Sequence, residues 1–465
     1  MPAKQIRINA FDMNCVSHIQ HGLWTHPRDR STDYRDIAYW QDLARTAERG
    51  LLDGVFLADI LGVYDVHGGG PEAAITNGVQ IPVNDPLLVV PAMAAVTEHL
   101  GFGVTANLSY EPPYSFARRM STLDHLTKGR IGWNIVTGYL DSAARGMGFT
   151  QQRDHDDRYD VADDYLDVVY KLWEASWDDD AVVRDRASGV YARADRVRAV
   201  RHHSRFHQLN AIHLCEPSPQ RTPVLYQAGA STRGRAFAAR HAECVFTYSP
   251  TTEATRAVVK DLRAQAVAQG REASDILVFA GRGIVVGRTT SEAREKYEEY
   301  RRYASVEGAL AHTSATLGVD LAKYQLDEPI RYEKNNANNS MLEAITVRSR
   351  EPWTLRKIID QMTLGSRNAP LIGSAEEVAD ALQTFIDETD VDGFNLSRTV
   401  APESLRDFVD LVVPILQERG AYKTAYAPGT LREKLFGEGR AKLPAAHRGA
   451  QVAAETRRAL ASAAE

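Results

Sequence analysis

Apolar positions along the chain follow two alternating regimes. Short runs that are apolar on both faces, such as VFLA after Gly54 and VLYQ after Pro223, recur between longer stretches in which apolar residues return every three or four positions. The short runs predict eight strands, over Ile6–Phe11, Gly54–Asp59, Phe102–Asn107, Arg130–Thr137, Pro223–Ala228, Cys244–Tyr248, Ile276–Val286 and Gly393–Ser397. The longer stretches predict helices over Arg35–Arg49, Pro86–His99, Tyr114–Thr127, Arg158–Trp173, Thr232–Arg240, Thr252–Gln269, Ser291–Tyr303, Ala375–Asp387 and Pro402–Arg419. Strand followed by helix, repeated, predicts a parallel sheet, and strands apolar on both faces predict helices covering it. Eight such units close into an α/β fold of the (β/α)8 TIM-barrel type. An open dinucleotide-binding sheet would place G-x-G-x-x-G after its first strand, whereas here the strand runs into FDMNCVSHIQHG.

Four stretches break the rhythm: 60–85, 175–221, 304–372 and the tail from Ala421. Setting them aside leaves a length close to the ~250 residues of one barrel. The organisation expected is therefore one domain over 1–436, with insertions near 60–85, 175–221 and 304–372 at the C-terminal mouth, and a flexible C-terminal arm over 437–465. Long insertions in compact domains are usually functional, so the three near the mouth are lid candidates.

Composition narrows the function classes. The 465 residues carry 55 Lys and Arg against 61 Asp and Glu, a net charge of −6 without a long basic run, which argues against nucleic acid as a partner. No stretch approaches the roughly 18 apolar residues of a membrane span, and the N-terminus lacks an apolar signal core. Three cysteines, Cys15, Cys215 and Cys244, lie far apart without C-x-x-C spacing, which fits a reducing, cytoplasmic setting.

Barrel enzymes carry their sites at the C-terminal strand ends. Here those ends hold Asp12 to His18, Asp59, Thr105 to Asn107, Asn134 to Thr137 and Gln227 to Ser231. Strand ends are also polar simply because they emerge into water, and each residue alone leaves both readings open. In QAGASTRGR a strand ends at Gly229, Ala230 follows and Ser231 is placed to cap a helix, where backbone N–H groups suit a phosphate; an ordinary N-cap has the same pattern. His155 and Tyr159 share a helix face, while the carboxylates around them are explained by the helix dipole without a metal. His18 and His21 lie on the first loop, either facing substrate or bonded within the loop. His67 opens an H-G-G-G run, yet no G-x-S-x-G, H-E-x-x-H or G-x-x-x-x-G-K-[ST] motif accompanies it.

Taken together, these positions resemble the flavin-dependent monooxygenases of the bacterial luciferase superfamily, in the branch of nitrilotriacetate, dibenzothiophene-sulfone and dimethyl-sulfide monooxygenases. The resemblance runs from about Ile8 to Phe436. It rests on MAAVTEHLGFGVTANLSYEPPYSFARRMSTLDHLTKGRIGWNIVT, HDDRYDVADDYLDVVYKLWEASWDDDAV, EPSPQRTPVLYQAGASTRGRAFAARHAE and VDGFNLS. Three shorter stretches, NAFDMNCVSH, ADILGVYDV and CEPSPQRTP, are most similar to the dimethyl-sulfide members.

The resemblance implies a two-component oxygenase. FMN, delivered as FMNH2 by a separate NAD(P)H:flavin reductase, would react with O2 to a C4a-hydroperoxide that oxygenates a small organic, organosulfur substrate with C–S cleavage. Its implied flavin contacts are Asp59, Thr105, Asn134, Thr137, His155, Tyr159 and, at the phosphate, Ser231; His18 is the candidate proton-transfer residue. It also implies a non-prolyl cis peptide near Thr105 and Ala106 and a homodimer or homotetramer. The alternatives are an aminopolycarboxylate monooxygenase, with Arg118, Arg119, Arg282 and Arg288 as the cations to watch, a deazaflavin-dependent dehydrogenase, and a non-catalytic flavin-binding protein.

Overall fold

The computed structural model describes residues 4–229, 231–249, 251–364 and 369–462. Eight parallel strands close on themselves: β1 Arg7–Met13, β2 Gly54–Ala58, β3 Gly101–Asn107, β4 Ile131–Val136, β5 Val224–Gln227, β6 Cys244–Thr247, β7 Leu277–Gly287 and β8 Gly393–Ser397. Neighbours pair in chain order from β1 to β8, and β8 pairs with β1, in register Arg7↔Gly393 to Phe11↔Ser397. All eight expected strands form, because each buries side chains inward and outward at once. The outward layer joins the helices in one large apolar core around Val55, Phe102, Trp133, Val278 and Phe394.

Inside the barrel, Phe56, Tyr226, Phe246 and Phe279 stack on one another, with centroids 4.2 to 5.8 Å apart. Gly103 and Gly132 make room for this aromatic layer. A Cβ at Gly103 would stand 2.7 Å from the Phe56 ring and one at Gly132 2.4 Å from the Tyr226 ring.

The N-terminal end of the barrel is plugged by a helix, here α5 (Leu431–Phe436), whose Leu431 and Leu435 enter the interior cluster. Arg432 anchors it through a buried ion pair with Glu243 at 2.7 Å and through the carbonyls of Thr222 and Pro223. Other helices used below are α1 (Pro113–Leu126), α2 (His155–Tyr170), α3 (Thr232–His241), α4 (Val306–Leu317) and α6 (Arg448–Ser462).

Four expectations change. The helix expected over Pro86–His99 is a 3-10 turn, Pro86–Leu88, and a short helix, Val90–Ala94. It stops there because the buried Arg130 guanidinium takes the carbonyls of Ala94, Thr97 and Leu100. Residues 437–465, expected as a flexible arm, contain α6 in their described part. It packs Val452 and Ala453 against the core, and Arg448 pairs with Asp167 at 2.9 Å. Among the described residues, cis peptide bonds fall at Ile81–Pro82 and Ala401–Pro402, not at Thr105 and Ala106, which continue the regular ladder to Asn134 and Ile135.

The fourth concerns the insertion at 175–221. It leaves the C-terminal side of α2 and therefore lies toward the N-terminal end of the strands. Its two hairpins, Val182–Asp185 with Val190–Ala192 and Val200–His203 with Gln208–Ala211, flank α1 and α2 through bonds such as Ser121 to His213 and Asp164 to His202 and His207. The insertions at 60–85 and 304–372 do meet over the mouth. Residue Ala230, the ends of the chain and 365–368 within the last insertion lie outside the described residues.

Candidate active site

The strand ends bring the predicted residues into separate groups around one mouth. Thr105 and Asn134 face each other in register on β3 and β4, and Asn134 Nδ2 donates to Thr105 Oγ1 at 2.8 Å. Both are buried, and Asn134 Oδ1 has no partner. Thr137, just past β4, is half-buried and accepts through its backbone carbonyl from Ser109 Oγ at 2.8 Å.

Ser231 caps α3, as its place after β5 predicts, accepting from the Gly234 N–H at 2.9 Å. The Tyr159 hydroxyl reaches over from α2 and bonds with the Ser231 and Gln227 side chains; burial pushes this phenol above its ordinary range. His155 stands edge-on to Tyr159 with centroids 5.3 Å apart, and its Nδ1 lies 2.8 Å from Asp156. Arg233 covers the Tyr159 ring and pairs with Asp160 and Asp163.

Asp59, at the end of β2, is pushed up to about 7. Burial is the main cause and the nearby Asp85 adds to it, against one hydrogen bond from the Ile60 N–H. This carboxyl is thus poised to exchange its proton near neutrality.

His18 is buried and stands edge-on to Phe11 at 4.3 Å, and Phe11 in turn packs on Phe56 of the barrel interior. Its loop is clamped from below, where the part-buried Arg398 pairs with Asp12 at 2.7 Å and donates to the Cys15 carbonyl. From above, the Gln80 side-chain amide donates to the His18 carbonyl at 2.5 Å.

That amide opens a network the sequence did not disclose. Tyr64 donates to Gln80 Oε1 at 2.8 Å, stacks on His312 at 5.1 Å and lies 3.4 Å from the Tyr139 hydroxyl. The rings of His312 and His21 share a hydrogen bond at 2.9 Å, and His21 continues to Ser17 at 3.0 Å. Burial lowers His21 to about 3, so it is neutral at physiological pH. The one signal in the sequence is His312 itself, a lone imidazole inside the apolar run GALAHTSATL.

The two lid segments latch onto each other. His67 meets Ser314 at 3.1 Å and Glu307 at 3.2 Å, the Gly68 N–H donates to Asp320, and Ser305 donates to Asn77. Between them lies an apolar cluster of Tyr64, Ala74, Val79, Leu140, Ala143, Ala311 and Ala315. The H-G-G-G run therefore belongs to a closure over the mouth. The cations raised for a polyanionic substrate lie elsewhere: Arg118 and Arg288 are exposed, Arg119 pairs with Glu111, and Arg282 stacks on Phe385 at 4.1 Å.

Comparison with known proteins agrees with this architecture. The chain is 46% identical over 449 residues to a dimethyl-sulfide monooxygenase of Hyphomicrobium sulfonivorans, covering 96% of this chain and 94% of that one. It is 47% identical over 446 residues to a long-chain alkane monooxygenase of Geobacillus thermodenitrificans, covering 96% and 97%. Among solved structures, a riboflavin lyase with modified FMN and its substrate riboflavin superposes with a TM-score of 0.90 at 36% identity, over 97% of this chain and 99% of that one. A family model described as luciferase-like monooxygenase matches residues 15–392. With its closed parallel barrel and lidded mouth, the chain is a monooxygenase that belongs to the luciferase-like family.

Proposed function

We propose that this chain is the oxygenase component of a two-component system, taking FMNH2 from a separate NAD(P)H:flavin reductase and using O2 on a small organosulfur substrate, with C–S cleavage to a thiol and an aldehyde. The observation that carries the reading is a floor of buried polar side chains beneath a latched lid. Asn134 Oδ1 is a buried acceptor with no protein partner, the kind of group that a flavin ring N–H satisfies. Ser231 at the start of α3, with Tyr159 beside it, suits a phosphate. The residues present thus fit a flavin mononucleotide, with Asp59, Thr105, Asn134 and Thr137 toward the ring and His155, Tyr159 and Ser231 toward the phosphate.

Bound there, reduced flavin supplies the activation of O2 and the transfer of one oxygen atom. The protein's share is positioning and exclusion. The latch of His67 with Ser314 and Glu307 keeps water out. His18, held by Phe11 and Gln80, offers an imidazole for moving a proton beside the reacting centre. Asp59, near half protonation at neutral pH, holds or releases a proton at the edge of β2.

A small uncharged substrate suits the apolar cluster between the lid segments, where Tyr64, Tyr139 and Leu140 gather and His312 stacks on Tyr64, whereas Arg118 and Arg288 are exposed, Arg119 is held by Glu111 and Arg282 stacks on Phe385. Hydroxylation of a long alkane is the second reading, favoured by the 47% identical relative. The test is to combine the protein with a flavin reductase, NADH and a panel of dimethyl sulfide, dibenzothiophene sulfone, long alkanes and nitrilotriacetate, following thiol, aldehyde and alcohol. Thiol and aldehyde release from the thioether is expected. Exclusive turnover of the alkane or the chelator would overturn the sulfur assignment, and no NADH- and reductase-dependent turnover would overturn the two-component one.

We further propose a homodimer or homotetramer in the cytoplasm. None of the described helices is long and apolar enough to cross a membrane.

A further inference from the structure

Arg158 is the least satisfied of the deeply buried arginines among the described residues; Arg271 comes nearest to it, with an unpartnered Nε but both Nη atoms donating to the carbonyls of Ala239 and Asp275. Arg158 is 2% exposed, yet only its Nη2 has a partner, the Asn336 carbonyl at 3.0 Å, while Nε and Nη1 have none. By contrast, the guanidinium of Arg130 is filled by carbonyls and Thr97, that of Arg221 by Asp179 and the Trp173 carbonyl, and that of Arg432 by Glu243 and carbonyls. Among the described residues no carboxylate forms an ion pair with Arg158; Asp141 and Asp154 act on it only through space. A buried cation with neither an anion nor a full set of hydrogen-bond acceptors is strongly unfavourable, and a ligand that supplies acceptors relieves it.

Its position indicates which ligand. Arg158 lies on the first turn of α2, next to Tyr159, whose hydroxyl reaches Ser231 at the start of α3. A phosphate there needs a counter-ion, and Arg233, a second cation nearby, is already held by Asp160 and Asp163. We propose that Arg158 is the counter-ion of an oxyanion bound at the mouth, the phosphate monoester of the flavin, with its free Nε and Nη1 donating to phosphate oxygens. The proposal rests on reading Ser231 as the phosphate end of the site. The contact with Asn336 would also tie the bound phosphate to the 304–372 insertion.

The test compares FMN, riboflavin and inorganic phosphate on the purified full-length protein and on Arg158→Met, Arg158→Lys and Ser231→Asp, by flavin fluorescence titration and thermal melting. Charge-assisted hydrogen bonds of this kind are each worth roughly a tenfold to hundredfold in affinity. Arg158→Met is therefore expected to lose about 10- to 100-fold in FMN affinity with riboflavin affinity within about twofold. Its ligand-free melting temperature should be unchanged or higher, since the unpaired buried charge is gone. Inorganic phosphate should raise the melting temperature of the wild type and not of Arg158→Met, and Arg158→Lys should recover part of the preference for FMN over riboflavin.

Equal losses for FMN and riboflavin together with a lowered melting temperature would make Arg158 a structural residue and overturn the proposal. Unchanged FMN affinity in Arg158→Met would also overturn it, and nitrilotriacetate binding by the wild type alone would then assign the guanidinium to a substrate carboxylate. If Ser231→Asp leaves FMN affinity untouched while Arg158→Met removes it, the Ser231 assignment falls and that of Arg158 stands.

Discussion

Replacing Asp59 by Asn isolates a carboxyl at the mouth that burial sets near neutrality. Burial and the neighbouring Asp85 raise it from an ordinary 3.8 to about 7 in the folded protein. Between those values the folded state binds a proton that the unfolded state does not, so the contribution of Asp59 to stability is fully present below about pH 4 and is lost as pH rises through about 7. A shift of about 3 units at ~1.36 kcal/mol each sets an upper bound of ~4 kcal/mol. Between pH 5 and pH 8 the loss is ~2.5 kcal/mol.

Asn keeps an acceptor for the Ile60 N–H and does not titrate. The melting temperature of Asp59→Asn relative to wild type should therefore climb with pH. With an unfolding entropy of about 2.1 cal/mol/K per residue, a chain of this length gains about 1 kcal/mol per degree, so the climb is roughly 2–3 °C from pH 5 to pH 8. Differential scanning calorimetry at pH 5, 6, 7 and 8 reads it, and only the change in the difference counts, which cancels the titrating groups that do not interact with Asp59. Parallel melting curves, or a difference that shrinks with pH, would refute the argument that burial holds this proton.

Two further predictions follow from buried contacts away from Asp59. Glu243→Gln strands the Arg432 guanidinium beneath the barrel and should cost about 3–5 kcal/mol, seen as a drop of several degrees in melting temperature, whereas an Arg432→Met, Glu243→Met pair should recover much of it; a neutral single variant would disprove the anchoring role. His67→Ala removes the latch to Ser314 and Glu307 and should speed limited proteolysis within 60–85 and 304–330 while the barrel stays intact by circular dichroism. Cleavage at the wild-type rate would show that the apolar cluster alone keeps the lid shut.

The barrel was legible because each strand is apolar on both faces, a property written into a few adjacent residues. Thr105, Asn134 and Ser231 were legible for a related reason: strand ends and helix starts are local features, and topology brings those ends to one mouth. The expected helix over Pro86–His99 failed where a distant residue, Arg130, claimed the carbonyls needed to continue it. The arm failed because α6 offers only Val452, Ala453 and Thr456 as a buried face among many alanines, too weak a stripe to read without the groove that receives it.

The lid network and Arg158 were hidden more deeply. Gln80 and Tyr64 mean nothing singly and His312 marks only itself, since the network joins two insertions and the first loop. Arg158 sits in HDDRYDVADDY, where a charged first helical turn already has a sufficient explanation in the helix dipole. Only burial separates this arginine from a solvated one, and its one hydrogen-bond partner, the Asn336 carbonyl, comes from the distant 304–372 insertion. In this chain, then, the scaffold is specified by local pattern and the closure by long-range pairing. The residues that set the proposed chemistry apart from a bare barrel are those whose partners lie in other segments of the chain.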